Sequence, residues 1–254
     1  KSVVYKKKVE EKHNVCPECD YHFRVSTNER IDITLDKDSF KEYWNDMMPA
    51  DPLKFMDRIK YKDRIISEQE KTKLNEAATV GKGFIDGKEV VFGITDSSFI
   101  MGSMGSVVGE KIARAAEMAL ELRLPLIIVS GSGGGARMHE GAFSLMQMAK
   151  TCAAIARLQD AGLLFISVLT DPTLGGVMAS FASQGDIIIA EPGALVGFAG
   201  PRVIKETIRK TLPKGFQSAE SMLKHGFIDI IAARDRLKPE ISKILDYCNG
   251  NSNG

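Results

Sequence analysis

Two glycine-rich stretches of the sequence directly follow apolar runs, and both have the composition of a loop that holds a negatively charged oxygen. The run 124–130 leads into three glycines at 133–135, and the run 163–169 leads into a glycine pair at 175–176. Each stretch predicts a buried strand, a tight turn that glycine tolerates, and a helix start with free backbone N–H groups. Such groups bind a phosphate or a carboxylate, or stabilise the oxyanion that develops on a thioester carbonyl as it enolises.

The residues around these glycines exclude several other motifs. Ala136-Arg137-Met138 follows the first glycine run, so the G-x-x-x-x-G-K-[ST] loop that cradles nucleotide phosphates is absent. A dinucleotide fingerprint with an acidic residue about twenty positions further on is also absent. Neither loop contains the G-x-S-x-G turn of a serine nucleophile.

Cys16 and Cys19 form a C-x-x-C knuckle, a spacing shared by structural zinc sites and redox motifs. Polar and basic residues flank the knuckle, which favours zinc. Zinc ribbons separate their two cysteine pairs by roughly 15 to 20 residues, so we expect the first pair just before Lys1. His13 and His22 are alternative ligands.

The composition is that of a chain that can bury a sizeable core. The chain has 254 residues, of which 44% are hydrophobic and 26% are charged, and its net charge is +1. This balance gives no overall attraction for nucleic acid or a membrane. The apolar runs are too short for a membrane-spanning helix, and the N-terminal residues lack the apolar centre of a signal peptide. We therefore expect a cytoplasmic protein.

The sequence divides into four predicted segments. Residues 1–25 form a partial zinc ribbon with short strands that begin at Val3. Residues 26–76 are polar and helix-prone, and Asp51-Pro52 and the stretch 60–72 within them are charged and mostly solvated. Residues 77–235 form the core, and residues 236–254 form a C-terminal helix and tail. Ser26 resembles a helix N-cap, because Glu29 stands three positions later.

Within the core, Asp86-Gly87 is a strong hairpin signal between apolar runs. Apolar residues at helical spacing predict a helix that ends at Arg123 and another over 140–160. A further helix is predicted over 176–183. Pro201 and Pro239 each predict the first turn of a helix.

Three long motifs carry a resemblance to a known family. They are SGGGARMHEGAFSLMQMAKT (132–151), ISVLTDPTLGGVMASFASQGDIIIAEPGALVGFAGPRVI (166–204) and LPKGFQSAESMLKHGFIDII (212–231). The chain resembles the carboxyltransferase β subunits of bacterial acetyl-CoA carboxylases from Cys16 to about Arg234. The resemblance implies an α/β fold of the crotonase (ClpP-like) superfamily, built from repeated ββα units and preceded by a partial zinc ribbon.

The resemblance also implies an activity and its partners. In this family an α2β2 heterotetramer moves a carboxyl group from carboxybiotin, held on the biotin carboxyl carrier protein, to acetyl-CoA. The product is malonyl-CoA, and the reaction is the first committed step of fatty acid biosynthesis. One structural zinc ion per full-length chain is expected on Cys16, Cys19 and two upstream cysteines.

Matching the family motif to this chain assigns roles to the glycines. Gly134 and Gly135 are expected to donate the backbone hydrogen bonds that stabilise the thioester oxyanion. Gly133, Gly175 and Gly176 are expected to line the substrate site. The first loop has one glycine more than the expected motif, so the register of the donors is open by one residue.

No side-chain base stands out, and the resemblance assigns proton removal to biotin. Arg137 is expected to support the loop or to meet a CoA phosphate. His139 is expected on the surface or behind the site rather than as a base. The Met- and Ala-rich stretches 104–123 and 141–161 are expected to contact the α subunit and a second β subunit.

Two alternatives remain open at this point. One is another crotonase-fold acyl-CoA enzyme, such as a hydratase or a decarboxylase. The other is a zinc-ribbon module that binds nucleic acid through the basic run at 6–8. Two glutamates at 10–11 follow that run, which favours a solvated face over a binding site.

Overall fold

One mixed sheet organises the chain, and most of its strands coincide with apolar runs of the sequence. The computed structural model describes residues 3–210 and 212–249. Its strands are β1 (Lys41–Tyr43), β2 (Ala78–Ile85), β3 (Lys88–Thr95), β4 (Leu126–Ser132), β5 (Phe165–Leu174), β6 (Ile187–Ala190), β7 (Val196–Gly197) and β8 (Ile230–Ile231). They lie in the order β1-β2-β3-β4-β5-β6-β8, and β7 pairs with the end of β5.

Helices cover both faces of this sheet. They are α1 (Lys6–Glu11), α2 (Thr27–Thr34), α3 (Tyr61–Thr72), α4 (Ser106–Leu122), α5 (Ala142–Asp160), α6 (Gly175–Met178), α7 (Pro201–Ile208), α8 (Ala219–Lys224) and α9 (Arg234–Asn249). The predicted N-cap at Ser26 is confirmed, since its hydroxyl accepts from the Glu29 N–H and the Glu29 side chain bonds back. The predicted end of α4 at Arg123 is confirmed as well.

The hairpin of β2 and β3 turns at the predicted dipeptide. Ile85 pairs with Lys88, and the two turn residues have positive φ angles, 48° at Asp86 and 75° at Gly87. This is the type I′ geometry that matches the twist of the strands. The Asp36 carboxylate accepts both turn N–H groups, at 3.0 and 2.9 Å.

Strands β3 to β6 run parallel, and their residues alternate between two apolar cores. One core lies under α4 and α5 and includes Val91, Leu126, Ile128, Phe165, Ile112 and Ile155. The other lies under α9 and includes Phe92, Ile127, Val129, Ile166, Leu237 and Leu245. A parallel sheet covered on both faces requires such continuous apolar strands. The predicted α/β class is confirmed.

The strands predicted at the N-terminus are wrong. Residues 6–11 form α1, because Lys and Glu are good helix formers and Lys6 pairs with Glu10 at 3.3 Å, one turn apart. In place of the strands, a single antiparallel bridge joins Val15 to His22 around the cysteine knuckle. The segment boundaries at 25, 76 and 235 stay predictions, and β1 of the second segment pairs with β2 of the core.

Three other boundaries differ from the prediction. Strand β5 continues to Leu174, because Thr173 pairs with both Ser132 and Val196. The helix predicted over 176–183 divides at Ser180, whose hydroxyl donates to the Gly176 carbonyl at 2.6 Å. Pro239 lies inside α9 rather than at its start.

Candidate active site

Both glycine loops leave the sheet at the same edge. Strands β4 and β5 are parallel neighbours, so their carboxyl ends meet, and the last pair in their register is Ser132 with Thr173. The first loop (Gly133–Ala136) and the second loop (Gly175-Gly176) therefore begin side by side. Ligand sites of parallel α/β sheets lie at this edge.

The two loops touch backbone to backbone. Gly135 and Gly175 have φ angles of 60° and 62°, in the left-handed region that favours glycine. A Cβ atom on Gly175 would stand 2.8 Å from the Gly135 Cα, and one on Gly176 would stand 3.1 Å from the Ala136 nitrogen. Any larger residue at these positions would push the loops apart.

A preceding segment, residues 99–104, holds the first loop. The Met101 carbonyl accepts the N–H groups of Gly133 and Gly134, at 2.9 and 3.1 Å, and Met104 bonds to the loop on the other side. Ile100 and Met101 both have positive φ angles, 43° and 56°. For a β-branched residue this backbone is strained, and such strain persists only where the surroundings impose it.

This bonding changes which loop groups are free to act as donors. The N–H of Gly134, predicted as one of the two oxyanion donors, is already bonded to Met101. Within the described residues, the N–H groups of Gly135, Ala136 and Gly176 donate to no protein atom. The free donors thus begin one residue later than the predicted pair. That Gly135 serves as a donor stays a prediction.

The buried side chain of Arg137, directly after the first loop, fixes the position of that loop. It is 1% exposed, and its guanidinium donates twice to the Glu76 carboxylate, at 2.6 Å each. The remaining donors meet Ser103 and the Tyr61 hydroxyl. Because the group is buried and its donors are occupied, the structure favours loop support over the alternative of a contact with a CoA phosphate.

Glu140 extends the same buried network. One carboxylate oxygen accepts from the Tyr61 hydroxyl at 2.6 Å, and the other accepts from the Ser106 N–H at the start of α4, also at 2.6 Å. Sequence reasoning missed Tyr61, which belongs to the stretch predicted as mostly solvated, and Glu76, which ends the segment predicted as polar. Spacing cannot show that residues 61 positions apart form one ion pair.

A cleft of about 600 Å³ opens beside the first loop. Its walls combine the backbone of that loop with apolar and charged side chains, namely Gly134, Ala136, Ile100, Met101, Met138, His139, Asp57, Arg64, Glu68 and Lys71. This volume lies within the usual range of small-molecule sites. His139, expected on the surface or behind the site, is buried in the cleft wall.

The cysteine knuckle supplies half of a metal site. Cys16 is buried and Cys19 is exposed, and the Glu18 N–H lowers the pKa of the Cys16 thiol, which favours the metal-binding thiolate. His22 is occupied by the Asp20 carbonyl and the Arg234 N–H. No cluster of three or more His, Cys, Asp or Glu occurs in the described residues, so a tetrahedral zinc site is not complete there.

Two observations bear on membranes and nucleic acid. None of the helices formed by residues 3–210 and 212–249 is both long and apolar enough to cross a bilayer. The basic run at 6–8 lies on the exposed helix α1, where Lys6 is paired with Glu10.

Several solved structures share this fold. The 12S transcarboxylase, crystallised with methylmalonyl-coenzyme A, superposes with a TM-score of 0.73 at 24% identity, over 94% of this chain and 42% of that one. A chain from the heterodimer of a Pseudomonas malonate decarboxylase superposes with a TM-score of 0.66 at 24% identity, over 89% of this chain and 86% of that one. At these identities the likeness establishes the fold alone.

Comparison of the amino-acid sequence with known families and proteins identifies the family of this chain. A model of the carboxyl transferase domain matches residues 24–253. The acetyl-coenzyme A carboxylase carboxyl transferase subunit beta of Rhodopirellula baltica is 56% identical over 96% of this chain and 78% of its own length. The Desulforamulus reducens subunit beta is 57% identical over 98% and 85%. The chain therefore belongs to the family of acetyl-coenzyme A carboxylase carboxyl transferase β subunits.

Proposed function

We propose that this chain is the β half of a carboxyltransferase that moves the carboxyl group of carboxybiotin to acetyl-CoA and gives malonyl-CoA for fatty acid synthesis. The contact between the two glycine loops carries the proposal, because the N–H groups of Gly135, Ala136 and Gly176 donate to no protein atom among the described residues and Ala136 lines the cleft. The identity of 56–57% to acetyl-CoA carboxylase β subunits supports the choice of substrate.

The chemistry follows from these donors. Cleavage of the C–N bond of carboxybiotin releases carbon dioxide, and the ureido nitrogen left behind takes a proton from the acetyl methyl group. The resulting enolate carries its charge on the thioester oxygen, where backbone donors of the first loop stabilise it. In acyl-transfer enzymes, one such donor lowers the activation free energy by on the order of 3 to 4 kcal/mol. The enolate carbon then bonds to carbon dioxide, so the protein needs no side-chain base.

The proposal includes partners that complete the site. They are an α subunit in an α2β2 assembly, the biotin carboxyl carrier protein, and acetyl-CoA or malonyl-CoA, all in the cytoplasm. Charge also develops on the biotin ureido oxygen, and the loops described here supply donors for the thioester only. A second donor set on the α subunit meets that need.

The full-length protein mixed with an α subunit tests the activity. With carboxybiotin it should convert acetyl-CoA to malonyl-CoA, measured by chromatography of the CoA esters. Hydration of an enoyl-CoA, or decarboxylation of malonyl-CoA that is independent of biotin, would instead favour another crotonase-fold acyl-CoA enzyme.

For the cysteine knuckle we propose two of four zinc ligands, Cys16 and Cys19, with two further cysteines outside residues 1–254. A pair of thiolates cannot close a tetrahedral site. The full-length protein should hold one zinc ion per chain by metal analysis, and residues 1–254 should hold it weakly. One tightly bound zinc per chain in residues 1–254 alone would overturn this assignment.

A further inference from the structure

His139 stands out as a buried polar group without hydrogen bonds. The residue is 7% exposed, and its ring stacks on Tyr61 with centroids 5.1 Å apart and meets the edge of Phe55 at 5.4 Å. Neither ring nitrogen has a hydrogen-bond partner within the described residues. Buried polar groups in folded proteins are nearly always paired, so an unpaired one indicates a partner that the chain itself does not supply.

The surroundings of the imidazole favour its neutral form. Burial lowers the pKa of His139, and the positive charge of Arg64 lowers it further. The Asp57 carboxylate stands 4.0 Å from Nε2, beyond hydrogen-bond distance. A neutral imidazole offers one N–H donor and one acceptor nitrogen.

The surroundings select the kind of ligand. The cleft at His139 is lined by the apolar side chains of Ile100, Met101 and Met138, and it reaches the first glycine loop. The carboxylates of Asp57 and Glu68 on this wall are paired with Arg64 and Lys71, at 3.6 and 3.7 Å, so the charges of the wall balance one another. A slim, uncharged chain that carries both a donor and an acceptor fits this wall, and a secondary amide has this pair of groups.

We propose that the imidazole of His139 binds the pantetheine arm of the CoA thioester, as donor to the carbonyl of one of its two amides and acceptor from the N–H of the other. This inference rests on the proposed function, which places the thioester carbonyl at the first loop. The arm would then leave the loop along the apolar side of the cleft. His139 thereby selects for the CoA arm without taking part in proton transfer.

Two substitutions separate hydrogen bonding from packing. His139→Gln keeps a donor and an acceptor but loses the stacked ring, whereas His139→Phe keeps a ring against Tyr61 but loses both hydrogen bonds. Acetyl-CoA binding to the full-length protein in complex with an α subunit is measured by calorimetry, without carboxybiotin. We expect wild-type and His139→Gln to bind alike and His139→Phe to bind about tenfold more weakly.

Analogues of acetyl-CoA locate the contact. In each analogue one of the two pantetheine amides is replaced by an ester, which lacks the N–H. One analogue should bind wild-type protein about tenfold more weakly, and His139→Phe should not distinguish it from acetyl-CoA. Exposed His225 gives the matched control, since His225→Phe should leave binding unchanged.

Other results would overturn the inference. If His139→Phe binds acetyl-CoA like wild type, or if both variants weaken every analogue equally and lower the melting temperature, the ring serves packing alone. If wild-type protein binds acetyl-CoA but neither ester analogue is penalised, His139 does not contact an amide. Failure of the wild-type complex to bind any CoA thioester would instead refute the proposed function.

Discussion

Arg137 shows how a residue beside the chemistry contributes through folding. Its guanidinium and the Glu76 carboxylate are both fully buried, and Tyr61 and Ser103 satisfy the remaining donors. Removal of one partner from a buried ion pair leaves an uncompensated charge, which costs far more than the pair itself contributes. The network therefore fixes the loop by making alternative positions of Arg137 unfavourable.

Replacing Arg137 with Met should destabilise the protein by about 3–5 kcal/mol, because the Glu76 charge would stay buried without a partner. The free energy of unfolding by urea measures this. Arg202→Met is the control, since Arg202 forms an exposed pair with Glu206 and should change stability by less than about 0.5 kcal/mol. Equal effects of the two substitutions would contradict the anchoring role.

Gly135→Ala should lower carboxyl transfer by at least about a hundredfold, because its Cβ presses on the Gly176 nitrogen at 3.2 Å and shifts the donors. Gly162→Ala is the matched control. Gly162 also has a positive φ, 71°, but a Cβ added there would meet no atom within 4 Å. Both substitutions should cost about 1–2 kcal/mol of backbone strain, and only the first should affect activity. Comparable turnover in both variants would exclude a role for the loop contact.

The sequence predicted the position of the two glycine loops, but it left open which of their N–H groups are free. Glycines after apolar runs are a local signal, so the position of both loops followed from pattern alone. The occupation of the Gly134 N–H depends on Met101, which reaches the loop only through the tertiary fold. The same holds for His139, whose burial against Tyr61 and Phe55 has no counterpart in local spacing.

At the scale of elements, a buried charge cluster joins three parts of the chain. Glu191 follows β6, Arg30 lies on α2 and Arg234 begins α9, and the two guanidinium groups contact the carboxylate at 2.7 and 2.8 Å. Burial raises the pKa of Glu191, but the charges of Arg30 and Arg234 outweigh burial and bring it to about 2. The carboxylate is thus ionised throughout the physiological range.

This pKa gives stability a defined dependence on pH. The folded value of about 2 lies below the ordinary glutamate value of about 4.3, so ionised Glu191 stabilises the fold above about pH 4.3. That contribution is lost as the pH falls toward 2. Glu191→Gln should be less stable than wild type by about 3–5 kcal/mol at pH 7, since two buried cations lose their counter-charge.

Urea midpoints between pH 7 and pH 2 test this expectation. The gap between wild type and Glu191→Gln should narrow below about pH 4.3, and the exposed control Glu206→Gln should track wild type. A gap that stays constant down to pH 2 would show that the carboxylate charge is not what stabilises the cluster.

Elements with strong local signals were predicted well. The Asp86-Gly87 turn, the Ser26 cap and the helix over 142–160 need only neighbouring residues. The extension of β5 to Leu174 depends on pairing with Ser132 and Val196, which no local pattern contains. The break at Ser180 ends the short helix α6. This helix begins beside the first loop, where Gly176 lies against the backbone of Ala136.

At the scale of the whole molecule, apolar side chains remain exposed around the site. Phe143 and Met146 on α5, together with Met138, Phe198 and Val203, are all more than half exposed. The apolar face of α4 packs in this chain's own core, so the contact of this helix with partner subunits stays a prediction. The exposed apolar side chains of α5, Phe143 and Met146, are available for contact with a partner subunit.

The full-length protein alone should therefore be inactive, and an α subunit should restore turnover. Decarboxylation of malonyl-CoA in the presence of free biotin measures this in the reverse direction. Replacing Met146 with Glu should weaken assembly, judged by gel filtration, and lower activity in proportion. Turnover of acetyl-CoA and carboxybiotin by a monomeric chain would refute the shared site.

Arg234 of the buried charge cluster also contacts residues that are synthesised much earlier. Its guanidinium donates to the His13 and Asn14 carbonyls, more than two hundred residues earlier in the chain. The ribosome adds Arg234 only after it has synthesised both glycine loops and the parallel strands of the sheet. During synthesis, the segment at residues 13 and 14 therefore lacks this contact until the first residue of α9 has been added.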